Sequence, residues 1–466
     1  MHFDVVIIGA GMSGLAAGIR LAYFDKRVCI VEKHYAFGGL NSYYTLGGRK
    51  FDVGLHAVTN YAGPERRSAP LSKLLRQLRL TRDDFDLHEQ RFSDVQFPGR
   101  RLRFTNDISV FTDEVAREFP LEADRFRRLV ERVREYDDLL LDAPYRPARP
   151  ILRDALGDPV LIEMLLCPIM FYGSAEEHDM DFAQFATMFK SMFLEGFARP
   201  RDGVRTIIKA LVRKFRASGG KLMMRCPVAR LETDGRRVVG VTLESGETLT
   251  ADVLLSSAGY EETMRLCSHD DAPPQNRESG VHEPGRISFV ESIAVLDQPP
   301  AKLGHEATIV FYNDHETFTY ARPDEPVDLR SGIVCCPNNY EGHDDLPEGV
   351  FRLTWLADYE PWMQWDGDAY AAAKKRYHDV FLSQGERFIS GFRDHVVFTD
   401  MFTPRTIHYY TGHCNGAVYG SPRKRRDGRT ALENLFICGT DQGFLGIVGA
   451  MLSGITIANL HVLARE

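Results

Sequence analysis

The first 32 residues contain the feature that most restricts the fold of this chain. An apolar run at residues 4–8 ends in the glycine-rich run GAGMSG at residues 9–14, and residues 12–24 have a helical pattern. A second apolar run, Val28–Glu32, follows. Strand, glycine turn, helix and strand in this order form the βαβ unit of a Rossmann-type dinucleotide-binding domain. We therefore predict an α/β fold that begins with such a domain.

Each glycine of this motif has its own expected role. Gly9 permits a tight turn, Gly11 lets the backbone approach a pyrophosphate, and Gly14 allows the helix to pack closely on the sheet. The helix start then offers free N–H groups and a partial positive charge to the phosphates. Glu32, at the end of the second strand, is placed to accept hydrogen bonds from a ribose diol. The alternative is a glycine-rich turn that binds no ligand.

A second pair of glycines follows this acid. Gly38 and Gly39 would let the main chain wrap around a dinucleotide, and Ser42 could reach a phosphate oxygen. Alone, a Gly-Gly pair is also an ordinary turn. Its position after Glu32 favours the binding role.

The end of the chain carries a third segment of this kind. Gly439 and Asp441 follow a predicted strand at residues 434–438, where a carboxylate can bind a ribityl hydroxyl. The next helix starts at about Gly446, Ile447 and Val448 and can direct N–H groups at the pyrimidine end of an isoalloxazine. An NAD-only domain has no use for this distant element. The sequence therefore predicts FAD rather than NAD.

The length of 466 residues favours two joined domains. We predict a discontinuous FAD-binding domain formed by residues 1–70, 202–260 and 405–466. Residues 71–201, with a helical pattern, and 261–404, with mostly strand patterns, would form an interleaved mixed α+β substrate-binding domain.

The composition limits which classes of partner we expect for this chain. The net charge of −8 gives no reason to expect a nucleic-acid partner. Eight cysteines without a C-x-x-C pair favour a reduced, cytoplasmic protein without a metal site. Residues 442–464 lack charged residues, but their glycines and polar residues favour a buried helix over a membrane span. Any membrane association would then be peripheral.

Three segments together resemble a known family. The runs GAGMSGLAAG, FDVGLH and NLFICGTDQGFLGIVGAMLSG are similar to the FAD-dependent phytoene desaturase superfamily. Within it, FDVG at residues 51–54, Thr403-Pro404 and Tyr419-Gly420 resemble the carotenoid isomerase and retinol saturase branch. Two positions depart from the family pattern. Leu40 replaces a frequent arginine, and Phe444-Leu445 replaces a Pro-Gly-like segment.

The resemblance implies a glutathione reductase-like FAD domain that holds FAD non-covalently. Val228 would contact the adenine through its backbone. The residues it implies as the other FAD contacts are Gly9, Gly11, Gly14, Glu32, Gly38, Gly39, Ser42 and Asp441.

The resemblance also implies an FAD-dependent oxidoreductase acting on an isoprenoid or polyene, carotenoid- or retinoid-like, by desaturation, saturation or cis–trans isomerisation. Two alternatives stay open at this point. One is a flavin oxidase for a polar amine, for which Trp355, Trp362 and Trp365 are candidates for an aromatic cage. The other is a non-catalytic isoprenoid carrier on the same fold.

Residues that act on the substrate are harder to identify. His56, directly after the FDVG run, is the one titratable side chain that we expect near the flavin, as a proton donor or acceptor. The alternative is a histidine that only hydrogen-bonds the backbone. Aromatic residues are candidates for an apolar tunnel, namely Phe311, Tyr312, Phe318, Tyr320 and the three tryptophans.

A basic run precedes the final strand and consists of Arg423, Lys424, Arg425, Arg426 and, three residues on, Arg429. Such a run is usually a solvated loop. Near a tunnel mouth it would instead contact anionic lipid.

Overall fold

The computed structural model describes residues 1–137, 144–267 and 283–465. The strands in these ranges are β1 (His2–Ile8), β2 (Val28–Glu32), β3 (Tyr43–Leu46), β4 (Arg49–Asp52), β5 (Leu87–Glu89), β6 (Ser93–Phe97), β7 (Arg100–Phe104), β8 (Ala198–Pro200), β9 (Lys221–Met224), β10 (Val228–Thr233), β11 (Val238–Leu243), β12 (Thr248–Ser256), β13 (Ser288–Leu296), β14 (Ile309–Asn313), β15 (Ser331–Cys335), β16 (Gly349–Ala357), β17 (Val396–Phe402) and β18 (Leu435–Ile437).

The α-helices in the same ranges are α1 (Met12–Tyr23), α2 (Pro70–Leu78), α3 (Ile108–Glu118), α4 (Ala123–Glu135), α5 (Ala148–Ala155), α6 (Pro159–Gly173), α7 (Phe182–Phe189), α8 (Val204–Ala217), α9 (Tyr260–Arg265), α10 (Tyr359–Gln364), α11 (Gly367–Gly385), α12 (Phe392–His395), α13 (Pro404–Thr411) and α14 (Gly446–His461). A π-helical turn, Lys190–Leu194, continues α7.

A parallel sheet in the order β18-β12-β1-β2-β9 forms the first layer. Strand β12 also pairs antiparallel with β11, which in turn pairs antiparallel with β10. Helices α1, α8 and α14 pack together, and their apolar residues share one core with those of the sheet. A Cβ on Gly18 of α1 would lie 2.8 Å from Ile30 Cδ1, which shows how closely helix and sheet approach. This layer confirms the predicted Rossmann-type α/β class. The predicted domain boundaries stay a prediction, although this sheet takes strands from all three segments assigned to the FAD domain.

A second sheet has the order β17-β13-β16-β15-β14-β6-β7. Its central strands β13 and β16 pair over nine residues each and are buried on both faces. Apolar residues of α3–α7 share a core with one face, and those of α11 share a core with the other. The catalytic candidate His56 and the carboxylate that it contacts lie between this sheet and the first one, as described below.

Two local predictions were wrong. Residues 87–104 were assigned to a helical region but form β5, β6 and β7. In β7 the arginines at 101 and 103 alternate with buried Leu102 and Phe104, which is the period of a strand. The patterns at residues 248–249 and 252–257 predict two separate strands, but the structure has one strand there, β12. It leaves the antiparallel pairing with β11 and continues beside β1.

The apolar C-terminal segment forms α14. A Cβ on its Gly454 would lie 2.0 Å from Ser13 O, so α14 packs directly against the backbone of α1. Among the helices that the structure describes, none is long and apolar enough to cross a membrane.

Candidate functional site

A groove of about 410 Å³ lies at the carboxyl ends of β1, β2 and β12, with the glycine-rich turn on its wall. A Cβ on Gly14 would lie 2.1 Å from Gly9 O, so no other residue fits there without a shift of the backbone. A Cβ on Gly11 would meet nothing within 4 Å. The first turn of α1 contains no acidic residue, and no side chain caps its N-terminus. Its free N–H groups are thus available to an anionic ligand.

The second glycine pair lies directly against this turn. Gly38 N donates to Ala10 O at 2.9 Å, and Gly38 and Gly39 have φ values of +104° and +57°. Ser42 Oγ is buried and has no hydrogen-bond partner in the described part of the chain. Ser42 lines a neighbouring cavity and not the groove, so its contact with a phosphate oxygen stays a prediction.

Glu32 is buried and lines the groove. Its Oε2 accepts from Ala10 N at 2.8 Å, and its Oε1 accepts from His34 N at 2.9 Å. Each carboxylate oxygen has a second lone pair that can still accept from a hydroxyl. Val228, in the first position of β10, lines the same groove.

The structure places the third segment differently from the prediction. The carboxylate of Asp441, 3% exposed, accepts from Tyr260 N at 2.6 Å and from Ser421 N at 2.7 Å. Thr440, its neighbour, lines the groove, together with Gly439. Consecutive side chains at this strand end point in different directions. A shift of one position in the sequence therefore changes which side chain faces the groove. Thr440 belongs to the C-terminal motif, but no role was predicted for it.

An apolar cavity of about 170 Å³ adjoins the groove, between the two sheets. Groove and cavity share Leu40, Asn41, Thr440 and Ala450. Gly446 and Ile447 at the start of α14 also line this cavity, whereas Val448 is buried in the core beside α1. The two residues that depart from the family pattern, Leu40 and Phe444, both lie on its wall.

A second apolar cavity of about 310 Å³ adjoins the first one, and both are lined by Leu40, Val53, Phe402 and Ile407. Its rim carries exposed aromatic side chains. Tyr35 is 59% exposed and Tyr410 44%, and the ring of Tyr409, 69% exposed, lies 5.1 Å from that of Tyr410. Residues Tyr35, Tyr409 and Tyr410 are called the tyrosine rim below.

His56 lies on the wall of the apolar cavity, in the loop after β4. Its Nε2 is 2.9 Å from Glu291 Oε2, and Thr354 Oγ1 donates to the same oxygen at 3.0 Å. Because an ionised carboxylate only accepts, Nε2 carries the proton of the imidazole. Nδ1 is therefore the acceptor atom, and it makes no hydrogen bond within the described ranges. The alternative that His56 only hydrogen-bonds the backbone is wrong.

Glu291 is held by a buried arginine. Glu291 and Thr354 face each other on β13 and β16, and Arg352, two residues before Thr354, donates to Glu291 Oε1 through Nε at 2.6 Å. Arg352 also donates to Leu55 O at 3.0 Å. Neither charged residue was predicted as part of the site. A glutamate in the run FVESIAVL and an arginine in GVFRLTWLA each interrupt an apolar strand, and this is the signal that could have paired them.

A second buried ion pair supports the same loop. Arg199 pairs with Asp52 and donates to Leu55 O at 2.7 Å, while Tyr340 Oη donates to His56 O at 2.9 Å. The backbone on both sides of His56 is thus fixed by donors from three other segments.

Burial and charge determine the protonation states here. Burial lowers the pKa of the His56 imidazole from its ordinary value of 6.5, although the hydrogen bond to Glu291 and the charge of that carboxylate act in the opposite direction. Burial alone would raise the pKa of Glu291, but the charge of Arg352 and the hydrogen bond from His56 outweigh it and lower the pKa to about 2. The pair is consequently a neutral histidine beside an ionised glutamate.

The prediction of which aromatic residues line an apolar tunnel was wrong. Phe311, Phe318 and Tyr320 belong to the core between the second sheet and α3–α7. Trp355 and Trp362 are fully buried on the opposite face with Tyr312, and Trp365 packs against that core. Period-two alternation places Phe311 and Tyr312 of β14 on opposite faces of the sheet. None of these side chains lines the apolar cavity. The three tryptophans form no cage at the cavity either.

The basic run divides into two groups. The side chains of Arg423 and Arg429 are 73% and 62% exposed. Lys424 Nζ instead donates to Tyr419 O at 2.6 Å and Thr440 O at 3.1 Å, and Arg426 pairs with buried Asp181. The solvated loop of the prediction is therefore limited to part of the run.

Comparisons with known proteins agree with this geometry. The profile of the family described as flavin containing amine oxidoreductase matches residues 12–262, more than half of the chain. The 4,4'-diaponeurosporene oxygenase of Staphylococcus aureus is 23% identical over 100% of this chain and 99% of its own length. Prolycopene isomerase 1, chloroplastic, of an Oncidium hybrid cultivar is 22% identical over 98% and 83%. In the solved structures, an oxidoreductase from Methanosarcina mazei has a TM-score of 0.69 at 15% identity, covering 98% of this chain and 99% of its own.

Proposed function

The chain belongs to the flavin containing amine oxidoreductases, and from this we propose that it is an FAD-dependent enzyme that desaturates, saturates or isomerises a carotenoid-like polyene. The observation that carries the proposal is the row of neighbouring cavities that extends from the tyrosine rim through the two apolar cavities to the groove. The names of the two relatives, an oxygenase of a diaponeurosporene and an isomerase of a prolycopene, point to the same class of substrate.

The groove fits FAD held without a covalent bond. Gly11 leaves room for the pyrophosphate beside the N-terminus of α1, and Glu32 can accept from the ribose. Thr440 lies where groove and apolar cavity meet, which suits a contact to the ribityl chain. The predicted contact of Asp441 stays a proposal, with the qualification that its carboxylate already accepts two backbone N–H groups. Bound flavin supplies the capacity to take up or donate a hydride.

The protein's own residues place the substrate and move a proton. The walls at Leu40, Phe402 and Ile407 exclude water and hold an apolar chain. His56 Nδ1 faces this space as the acceptor atom and can take the proton that a carbon loses in desaturation. In the reverse direction the same atom returns the proton. Glu291 fixes the imidazole so that Nδ1 keeps this role.

The cavity suits a polyene better than an amine. An amine oxidase needs a free carboxylate or an aromatic cage for the cation. Glu291 is the carboxylate on this wall, and Arg352 already neutralises it. No such cage is formed by Trp355, Trp362 or Trp365.

Anaerobic incubation with polyenes in lipid vesicles tests the proposal, with flavin and polyene spectra recorded together. Loss of flavin absorbance with a longer polyene chromophore identifies desaturation. Pre-reduced flavin that is reoxidised as the chromophore shortens identifies saturation, and a cis–trans change without net flavin change identifies isomerisation. If polyenes change neither spectrum while a small amine bleaches the flavin, the polyene proposal is wrong.

Peripheral membrane contact follows from the substrate, because a polyene must be collected from a bilayer. We expect the tyrosine rim to supply the apolar part of this contact, as exposed tyrosines favour the membrane interface. Arg423 and Arg429 would add an electrostatic contribution to membrane binding, which salt screens.

Flotation with anionic vesicles measures both parts. Serine at all three rim positions should remove most binding at high salt, whereas Arg423→Gln with Arg429→Gln should lower binding at low salt only. A rim variant that floats like the wild type would contradict the assignment of the entrance.

A further inference from the structure

Besides the groove, two cavities adjoin the apolar cavity, and they do so on different sides. The second apolar cavity shares Leu40, Val53, Phe402 and Ile407 with it. A cavity of about 630 Å³, called the large cavity below, shares Phe444 with it, and no other residue among those that the structure describes. The described linings of the large cavity and of the second apolar cavity have no residue in common. Phe444 therefore lies on the side of the apolar cavity that is remote from the tyrosine rim.

Phe444 and Met188 form a thin wall between the apolar cavity and the large cavity. Phe444 lines both cavities, so its ring alone separates them at that point. Gly173, at the end of α6, lines the large cavity, whereas Met188 on α7 lines the apolar one. A Cβ on Gly173 would lie 2.6 Å from Met188 Sδ, which shows that these two residues are in direct contact. The wall is thus one side chain thick at Phe444 and at Met188.

The local sequence explains why a large ring stands in this wall. Phe444 lies in the short run GFLG, and the glycines at both ends of this run, Gly443 and Gly446, have φ values of +116° and +72°. Glycine adopts these values without the steric cost that other residues meet. The chain can therefore turn on both sides of residue 444 before α14 begins, and it leaves the ring half-buried between the two cavities.

We infer that Phe444 is the stop that fixes how far a polyene enters, and thereby selects which bond of the chain reacts. A chain that enters end-first from the tyrosine rim occupies the two apolar cavities in turn and meets Phe444 and Met188 at the far side. Any additional length stays towards the rim, so the reacting bond is counted from the leading end of the chain. Charged groups such as Lys424 and Asp181 line the large cavity, and an apolar chain that covered them would remove their hydration.

This inference rests on the proposed function, because it assumes that a polyene occupies the apolar cavity. It adds a specificity-determining residue to that site. His56 moves the proton, whereas Phe444 decides which carbon atoms of the chain His56 can reach. Both residues line the apolar cavity.

Products from two linear polyenes test the stop in the holoenzyme. The polyenes, C30 and C40, have identical apolar ends, and mass spectrometry with NMR locates the changed bond. In the wild type this bond should lie at the same number of carbons from the nearer end of both chains. In Phe444→Ala it should lie at least one double bond farther from that end, because the chain fills the space that the ring leaves. Phe444→Leu leaves less space and should give a smaller shift.

Gly173→Ala should shift the changed bond in the opposite direction. The new Cβ would lie 2.6 Å from Met188 Sδ and 2.9 Å from its Cε, so the flexible end of Met188 must move. Because Met188 stands between Gly173 and the apolar cavity, it moves into that cavity and shortens it. The chain then enters less far.

Phe402→Ala is the matched control. Phe402 is also a phenylalanine on the wall of the apolar cavity, but it lies on the side shared with the second apolar cavity. Its removal should leave the position of the changed bond as in the wild type, whatever the rate. Flavin content and circular dichroism show that each variant is folded and loaded.

Three results would overturn the stop and leave the polyene proposal intact. They are a changed bond that keeps its position in both Phe444 variants, an equal shift in Phe402→Ala, and a changed bond that lies at a fixed distance from the middle of both chains. A wild type that alters neither polyene would overturn the proposed function as well.

Discussion

His56→Gln is expected to lower turnover of the polyene by roughly 10²- to 10⁴-fold, the usual contribution of a positioned acid or base. His56 lines the apolar cavity, and because its Nε2 donates to Glu291, Nδ1 is the acceptor atom of the ring. Glutamine keeps a polar group of similar reach but cannot exchange a proton near neutral pH. Flavin content should stay unchanged because His56 does not line the groove.

Steady-state turnover and flavin absorbance of the same preparations measure this effect. In the desaturation direction, kcat/KM should fall with acidification only below pH 6.5, since burial lowers the pKa of His56 from that value and the neutral ring is the active form. His343→Gln is the control. His343 is also a buried histidine, with Nδ1 2.9 Å from Pro337 O, but it lines a different cleft. A His56 variant with full turnover and an unchanged pH profile would remove its proposed role.

Glu291→Gln is expected to lower the free energy of unfolding by about 3–5 kcal/mol, because it leaves the buried charge of Arg352 without its partner. Arg352 is 2% exposed and cannot recover that interaction from water. Glu348→Gln removes a comparable pair with Arg49 whose side chains are 39% and 32% exposed. This control substitution should lower the free energy of unfolding by no more than about 1 kcal/mol. Urea unfolding at pH 7 compares the two variants.

Acid should affect the wild type and Glu291→Gln differently. The pKa of Glu291 is about 2 in the folded protein and 4.5 for an ordinary glutamate. A lowered folded-state pKa stabilises the protein above pH 4.5, and this contribution is lost as the pH falls towards 2. The variant has no carboxylate at position 291 and therefore lacks this loss of stability in acid. The free energies of unfolding of the wild type and of Glu291→Gln should thus converge between pH 4.5 and 2. A constant difference across this window would show that Glu291 is not the titrating group.

The N-terminal βαβ unit was predictable because its signals are local. β2 has the predicted bounds, and β1 and α1 differ from theirs by one or two residues at an end. Glycines with positive φ, such as Gly9 and Gly38, fix these turns through their own backbone freedom. The fold of this unit and the place of the groove followed from those residues alone.

The partners of His56 were not predictable in the same way. Glu291 is 235 residues from His56 in sequence, and Arg352 is 61 residues beyond Glu291. Only the pairing of β13 with β16 brings them together. The same limit explains the aromatic residues, because their types suit a tunnel or a core equally and the sheet register decides between the two. At the strand end near Thr440, neighbouring side chains point in different directions. Thr440 lines the groove, whereas the predicted residue, Asp441, does not.

The flavin content of purified wild type and Gly11→Val tests the central claim most directly. Valine at position 11 meets no atom of the chain within 4 Å of its Cβ and would project into the groove, so the variant should fold with an unchanged circular dichroism spectrum. We predict that denatured wild-type protein releases about one FAD per chain, as expected for non-covalent binding in a single dinucleotide groove, and that Gly11→Val is colourless. A wild type that releases no FAD, or a Gly11→Val variant that retains a full complement, would contradict the account.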